Sequence, residues 1–321
     1  MPPPVHHLDR SAVVYGFEKT QEPRLRLAPP AEVMIETHDA RTGRLKRAED
    51  VMTTAPDYAE RFPKTNPATG PIFVEGAEPG DALAVDILGI ELDDYGFLIV
   101  RPNLGLVHGL VNEPTAKICP VLDGLIHFDT LRLPVRPMIG VMATAPAGEG
   151  IASLQLGRHG GNMDNNRLTV GTRLHLPIAV PGALFYVGDL HASMGDGEVS
   201  GTGVEIGGRV HLRLSLEKGA GREWPWLETR DLLITTAGAP AYEQAAEIAV
   251  RQMLHLLGER LGLSPADAFL LVSATGDVRV NQSCRMPIDV SVRCEMPKLN
   301  AGLTRATGME PRATARPTGG R

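Results

Sequence analysis

The sequence predicts an α+β protein dominated by strands: a β-sandwich or barrel-like body, then a smaller C-terminal α+β part. Three observations carry that reading. Glycine (35) and proline (26) make up about a fifth of the 321 residues, a composition rich in turns. Strand-like patterns fill the first 220 residues. Helical spacing of apolar residues appears only after about residue 240.

Residues 1–10 read as a loose N-terminal tail, because three consecutive prolines, Pro2 to Pro4, deny the backbone its donors. The β-rich body is expected over residues 11–220. Within it, Ala82 to Leu92 is apolar and β-branched and follows the turn signal Glu78-Pro79-Gly80-Asp81. Val210, Leu212, Leu214 and Leu216 alternate with His211, Arg213, Ser215 and Glu217, the mark of a strand with one buried and one wet face. His211 is then an exposed strand histidine.

The α+β part is expected over residues 221–300. Ala245, Ile248, Ala249, Met253, Leu256 and Leu257 recur at helical spacing until Gly262. Ser264-Pro265-Ala266-Asp267 then supplies an N-cap, a proline at N1 and an acid at N3, which opens a second helix. Asp277 to Asn281 reads as a strand. Residues 301–321, with four arginines and one acid, read as a disordered tail.

Composition also bounds function. A formal net charge of −6 argues against nucleic acid, whose phosphates need a concentrated basic face. No apolar run approaches the roughly 18 residues of a membrane helix. Three cysteines, Cys119, Cys284 and Cys294, are too few for a disulfide framework and read as buried thiols in a reducing compartment. A cytoplasmic protein is expected. Aromatic residues at 4% leave few rings for a large apolar pocket.

Chemistry concentrates in two segments. One is Gly157-Arg158-His159-Gly160-Gly161-Asn162-Met163-Asp164-Asn165-Asn166-Arg167; the other runs from Gly188 to Glu205. Eight glycines lie between Gly182 and Gly208, and among them stand Asp189, His191, Asp196, Glu198 and Glu205. Glycine allows close backbone approach. Carboxylates and an imidazole on such a frame suit a metal with oxygen and nitrogen ligands. If Gly188 to Ala192 ends a strand, Asp189 and His191 share a face. Turn chemistry alone could explain any single acid here, but not two such segments that each pair His with Asp.

These segments resemble the acetamidase/formamidase family of metal-associated amide hydrolases. The resemblance rests on His159-Gly160-Gly161-Asn162-Met163-Asp164, Gly188-Asp189-Leu190-His191-Ala192 and Gly195-Asp196-Gly197-Glu198. Upstream it takes in Thr69 to Asp81, and also Leu176 to Phe185. It spans roughly Ala31 to Pro297 and implies metal binding around Asp164, Asp189 and His191. Asp39, in Thr37-His38-Asp39-Ala40, and Glu205 are further candidate ligands, and His159 ranks behind the ligands. The implied cofactor is a divalent metal, with Zn²⁺ or Ca²⁺ favoured. The implied partners are a small amide substrate and further copies of the chain in a homo-oligomer.

An amide resists water because resonance weakens its carbonyl and ammonia leaves poorly unless protonated. A metal can polarise the carbonyl or lower the pKa of water, and a carboxylate can carry the proton to nitrogen. Glu198 is expected as that shuttle, with Glu205 the alternative. Asn162 and the Gly160-Gly161 backbone are expected to bind the developing oxyanion. No serine-lysine nucleophile loop is evident, no cysteine sits in a nitrilase-like neighbourhood, and Ser193 has no identifiable base. Two other readings stand beside this one. One is hydrolysis of another C–N bond, in a larger or cyclic amide. The other is a non-catalytic β-protein holding a structural ion.

Overall fold

The computed structural model describes residues 4–283, 289–298 and 303. Eleven strands organise the molecule: β1 (Val5–Leu8), β2 (Ala31–Thr37), β3 (Ala68–Val74), β4 (Ala82–Val100), β5 (Met138–Ala143), β6 (Gly160–Asn162), β7 (Phe185–His191), β8 (Glu205–Glu217), β9 (Leu232–Ala239), β10 (Asp277–Gln282) and β11 (Val290–Pro297). Two helices, α1 (Tyr242–Leu261) and α2 (Pro265–Thr275), fall between β9 and β10. All eleven strands belong to one curled, mostly antiparallel sheet, as the β-rich α+β reading expects.

Strand β8 is the spine. It pairs antiparallel with β2 on one side (Val210↔Ile35, Leu212↔Val33) and with β4 on the other (Leu212↔Ile87, Leu214↔Val85). The alternation read from the sequence has a direct cause here: Val210, Leu212 and Leu214 are buried against Val33, Ile35, Val85 and Ile87 in the main core. Each such side chain contributes roughly 1.5–3 kcal/mol on burial. His211, on the opposite face, pairs with Glu32 at 2.9 Å.

Strand β7 sits deeper, with every residue buried. It pairs with β5 (Met138↔His191, Val141↔Gly188), with β3, and at its end with β8 (His191↔Glu205). That last pairing brings His191 opposite Glu205.

The helices follow their expected signals. Helix α1 ends at Gly262, whose φ of 71° closes it in the left-handed region. Helix α2 opens on Ser264, whose Oγ accepts from the Asp267 N–H at 3.1 Å. Their apolar faces form a second core with β9 and β11, built from Met253, Leu256, Leu257, Val272, Cys294 and Met296. Among the described residues, no helix is long and apolar enough to cross a membrane.

One expectation is corrected. Residues 1–10 are not a loose tail throughout, because Val5–Leu8 pairs parallel with β2 (Val5↔Glu32 to Leu8↔Ile35) and buries Leu8. The prolines end at Pro4, so the next four residues keep their donors. Of the expected tail 301–321, Leu303 packs on the second core and the rest lies outside the described residues. Cys119 and Cys294 are buried free thiols; Cys284 lies outside the described residues.

Candidate active site

Four carboxylates and one imidazole meet where β5, β6, β7 and β8 converge. Asp189 and His191 come from β7, Glu205 from the first residue of β8, Asp164 from just beyond β6, and Glu198 from the β7–β8 loop. All five are buried. Ligand-capable atoms of Asp164, Asp189 and His191 lie within 4.8 Å of one another, as do those of His191, Glu198 and Glu205.

Hydrogen bonds satisfy only part of this cluster. Asn66 Nδ2 donates to Asp189 Oδ2 at 2.9 Å, and Gln282 Nε2 donates to both Asp164 Oδ2 and Glu198 Oε2 at 2.6 Å. Asp164 Oδ1, Asp189 Oδ1, Glu205 Oε2 and both ring nitrogens of His191 are buried without a hydrogen bond. His191 Nε2 lies 3.2 Å from Glu205 Oε1 without making a hydrogen bond, and 3.8 Å from Asp189 Oδ2, beyond hydrogen-bond reach. Such convergence on a common point fits a cation better than it fits mutual hydrogen bonding.

Electrostatics agree. Burial, then repulsion among the acids, pushes the carboxyls of Asp164, Asp189 and Glu205 well above the usual carboxylate range, and burial raises that of Glu198. Uncompensated buried charge costs several kcal/mol per ion. A divalent cation among the orphaned atoms reverses that penalty, so the donor set fits one.

The backbone is bent to make the cluster. Asn66, Asp164, Asp189 and Glu198 have φ of 47°, 42°, 58° and 42°, in the left-handed region that L-residues disfavour. Each costs of order 1–3 kcal/mol, and such residues gather at functional sites. Two glycines leave the necessary space. A Cβ on Gly140 would stand 2.7 Å from Asp164 Oδ1 and 2.8 Å from Asp189 Oδ2, and one on Gly203 would stand 2.6 Å from His191 Nδ1. Gly140→Ala therefore displaces two acids and presses on the Asp189 carbonyl oxygen, 2.9 Å from that Cβ, and activity is expected to fall about 100-fold. Wild-type activity in that variant, alongside a wild-type circular dichroism spectrum, would count against the cluster's role.

The β7–β8 loop is locked from the C-terminal side. Gly197 N–H donates to Asn281 O at 3.0 Å, and Ser283 N–H donates to Gly197 O at 2.9 Å. Asp196, one acid of the glycine-rich segment, anchors this loop: its Oδ2 accepts from buried Arg293 Nη2 at 2.9 Å and its Oδ1 from Asn166 Nδ2 at 2.7 Å.

Against the acids lies a small cavity of about 30 Å³. Glu198, Glu205, Gln282, Asn66 and Arg41 border it, with Phe97, Ile99, Leu104 and Leu154 as its apolar wall. Arg41 is 3% exposed; its Nη1 donates to Thr65 Oγ1 at 2.7 Å and its Nε has no partner. A larger groove of about 850 Å³ lies elsewhere, and its charges are matched: Arg173 pairs with Asp86, His175 with Glu217, and Arg260 with Glu228. It borders none of the five cluster residues.

The structure thus brings together Asp164, Asp189, His191, Glu198 and Glu205. It does not bring Asp39 with them. That carboxylate accepts from the backbone N–H groups of Arg41 at 2.7 Å and Gly43 at 3.0 Å, and so holds a turn. Asn162 stands one step back: its Oδ1 accepts from Asn66 Nδ2 at 3.3 Å, and it does not border the cavity. His159 is packed beside Phe17, with ring centroids 5.6 Å apart, and burial pulls its pKa down to about 4. Sequence reasoning missed Asn66, Gly140, Gln282 and Arg41. Gly140 did carry a signal, since an isolated glycine in an apolar strand marks a close approach.

A model of the Acetamidase/Formamidase family matches residues 20–156 and 147–297. The crystal structure of an acetamidase from Bacillus halodurans is 35% identical with a TM-score of 0.83, covering 91% of this chain and 97% of that one. A structure from Thermoanaerobacter tengcongensis, described as a predicted acetamidase/formamidase, is 35% identical with a TM-score of 0.84 and covers 91% and 95% of the two chains. The acetamidase of Mycolicibacterium smegmatis is 29% identical over 242 residues, 55% of this chain and 59% of that one. Against that curated relative, the match spans somewhat over half its length.

Proposed function

The chain belongs to the acetamidase/formamidase family, and from that premise we propose that it hydrolyses short linear amides, of the formamide and acetamide kind, to carboxylate and ammonia. The observation that carries this reading is the cavity of about 30 Å³ beside Glu198 and Glu205. One water needs roughly 10–15 Å³ on this measure, so the space suits a molecule of a few heavy atoms. A larger or cyclic amide would need that cavity to widen. A structural ion alone would not require a cavity against its acids.

In this reading Asp164, Asp189 and His191 hold a divalent cation, with Zn²⁺ and Ca²⁺ both suited to carboxylates joined by one imidazole. Bound there, it supplies charge that polarises a carbonyl and acidifies water. Glu198 borders the cavity while Gln282 holds its Oε2, so its other oxygen is oriented to take the proton of the attacking water and pass it to the departing nitrogen. Glu205 is the second acid on that wall and the alternative shuttle. Arg41, whose Nε has no hydrogen-bond partner, is the donor on that wall that this reading assigns to the carbonyl oxygen, while Asn66 spends its Nδ2 hydrogens on Asp189 and Asn162.

Ammonia release from a graded series of amides tests the reading. Formamide and acetamide are expected to be turned over, and hexanamide and benzamide not. No ammonia from either small amide would end the proposal.

A further inference from the structure

Gln282 is the last residue of β10 and does not follow that strand's alternation. The register runs Val280↔Val292 and then Gln282↔Ser291, so one extra residue, Asn281, is accommodated in a bulge. Both Asn281 and Gln282 consequently turn inward, at 0% and 2% exposure. Asn281 serves structure: its Nδ2 donates to Ser291 Oγ at 2.9 Å and its Oδ1 accepts from Arg293 at 2.7 Å.

Gln282 is different. Its Nε2 donates to two carboxylates at once, Asp164 Oδ2 and Glu198 Oε2, both at 2.6 Å. With both acids ionised around a bound cation, the reverse orientation would set an amide oxygen against two acceptors, so the two acids then determine which way the amide faces. Gln282 Oε1 is then a buried acceptor with no donor. Leaving such a group unpaired costs about 1–3 kcal/mol. Gln282 also borders the 30 Å³ cavity. Among the described residues no group supplies the missing donor, and the cavity that Gln282 borders is where an occupant can bring one.

We infer that Gln282 is a specificity-determining residue whose Oε1 accepts an N–H from the amide nitrogen of the bound substrate, selecting primary amides over esters and N,N-dialkyl amides. The inference rests on the amide-hydrolase reading above. A primary amide brings two N–H donors to the site; an ester brings none, and so leaves Oε1 unpaired. The same side chain grips Glu198, which sets the leaving nitrogen beside the acid that protonates it.

The test compares kcat/KM for formamide and methyl formate in the wild type, Gln282→Met and Gln282→Glu. Gln282→Met keeps the length and removes the acceptor, and is expected to lower the formamide value about 100-fold more than the methyl formate value. Gln282→Glu keeps an oxygen acceptor, so the amide-to-ester ratio is expected to stay within about threefold of wild type while both rates fall. A residue that only positions the acids would lower both substrates equally. An unchanged ratio in Gln282→Met therefore overturns the inference and leaves the amidase reading standing. If Gln282→Met does not fold, a collapsed ratio in Gln282→Glu overturns it instead. A wild type that releases no ammonia from formamide overturns both.

Discussion

His191→Ala is expected to abolish cation retention and to lower amide turnover by about three orders of magnitude or more. Both groups of ligand-capable atoms in the site include His191, so its removal opens both. Cation assistance is worth several kcal/mol of transition-state charge stabilisation, and each 1.4 kcal/mol is tenfold in rate. The variant should still fold, because the His191 side chain makes no hydrogen bond, and its backbone pairing with β5 and β8 does not depend on the imidazole. Elemental analysis of the purified variant alongside its ammonia release makes the comparison. Full activity without the imidazole would exclude His191 as a ligand.

Glu198→Gln is expected to keep the cation and lose about 10²- to 10⁴-fold in turnover, the range for removal of a general acid–base group. The substitution is nearly isosteric, and the new amide oxygen can still accept from Gln282 Nε2, so the loop stays in place. Asp164, Asp189 and His191 are untouched and continue to hold the ion. Loss of turnover with loss of the cation would instead make Glu198 a ligand, and unimpaired turnover would pass the shuttle role to Glu205.

How far the sequence could be read depended on how far local rules held. The alternation at Val210, Leu212, Leu214 and Leu216 corresponds to β8, and the Ser264-Pro265-Ala266-Asp267 signal to the start of α2, because each is a local pattern. Asp189 and His191 share a site two residues apart on β7, although Asp189, at φ 58°, is bent out of the strand conformation that the alternation assumes. For Asp39 the residue type alone suits a ligand and a turn holder equally well. Only the Arg41 and Gly43 N–H groups on its oxygen distinguish the two. Gln282 was out of reach for a different reason. A bulge at Asn281 breaks the period of two, and Gln282 meets Asp164 across 118 positions of sequence. Asn66 reaches Asp189 across 123. Groups that orient the acids come from distant strands, so no spacing records them.

The role of the buried acid–histidine cluster proposed above is to hold a cation needed for amide hydrolysis. Its most direct test is ammonia release from formamide by the purified protein, measured with its elemental content before chelation, after chelation and after the cation is restored. A bound divalent cation, loss of activity when it is removed, and recovery when it returns are expected. Undiminished hydrolysis by protein shown to be free of divalent cations would contradict that role.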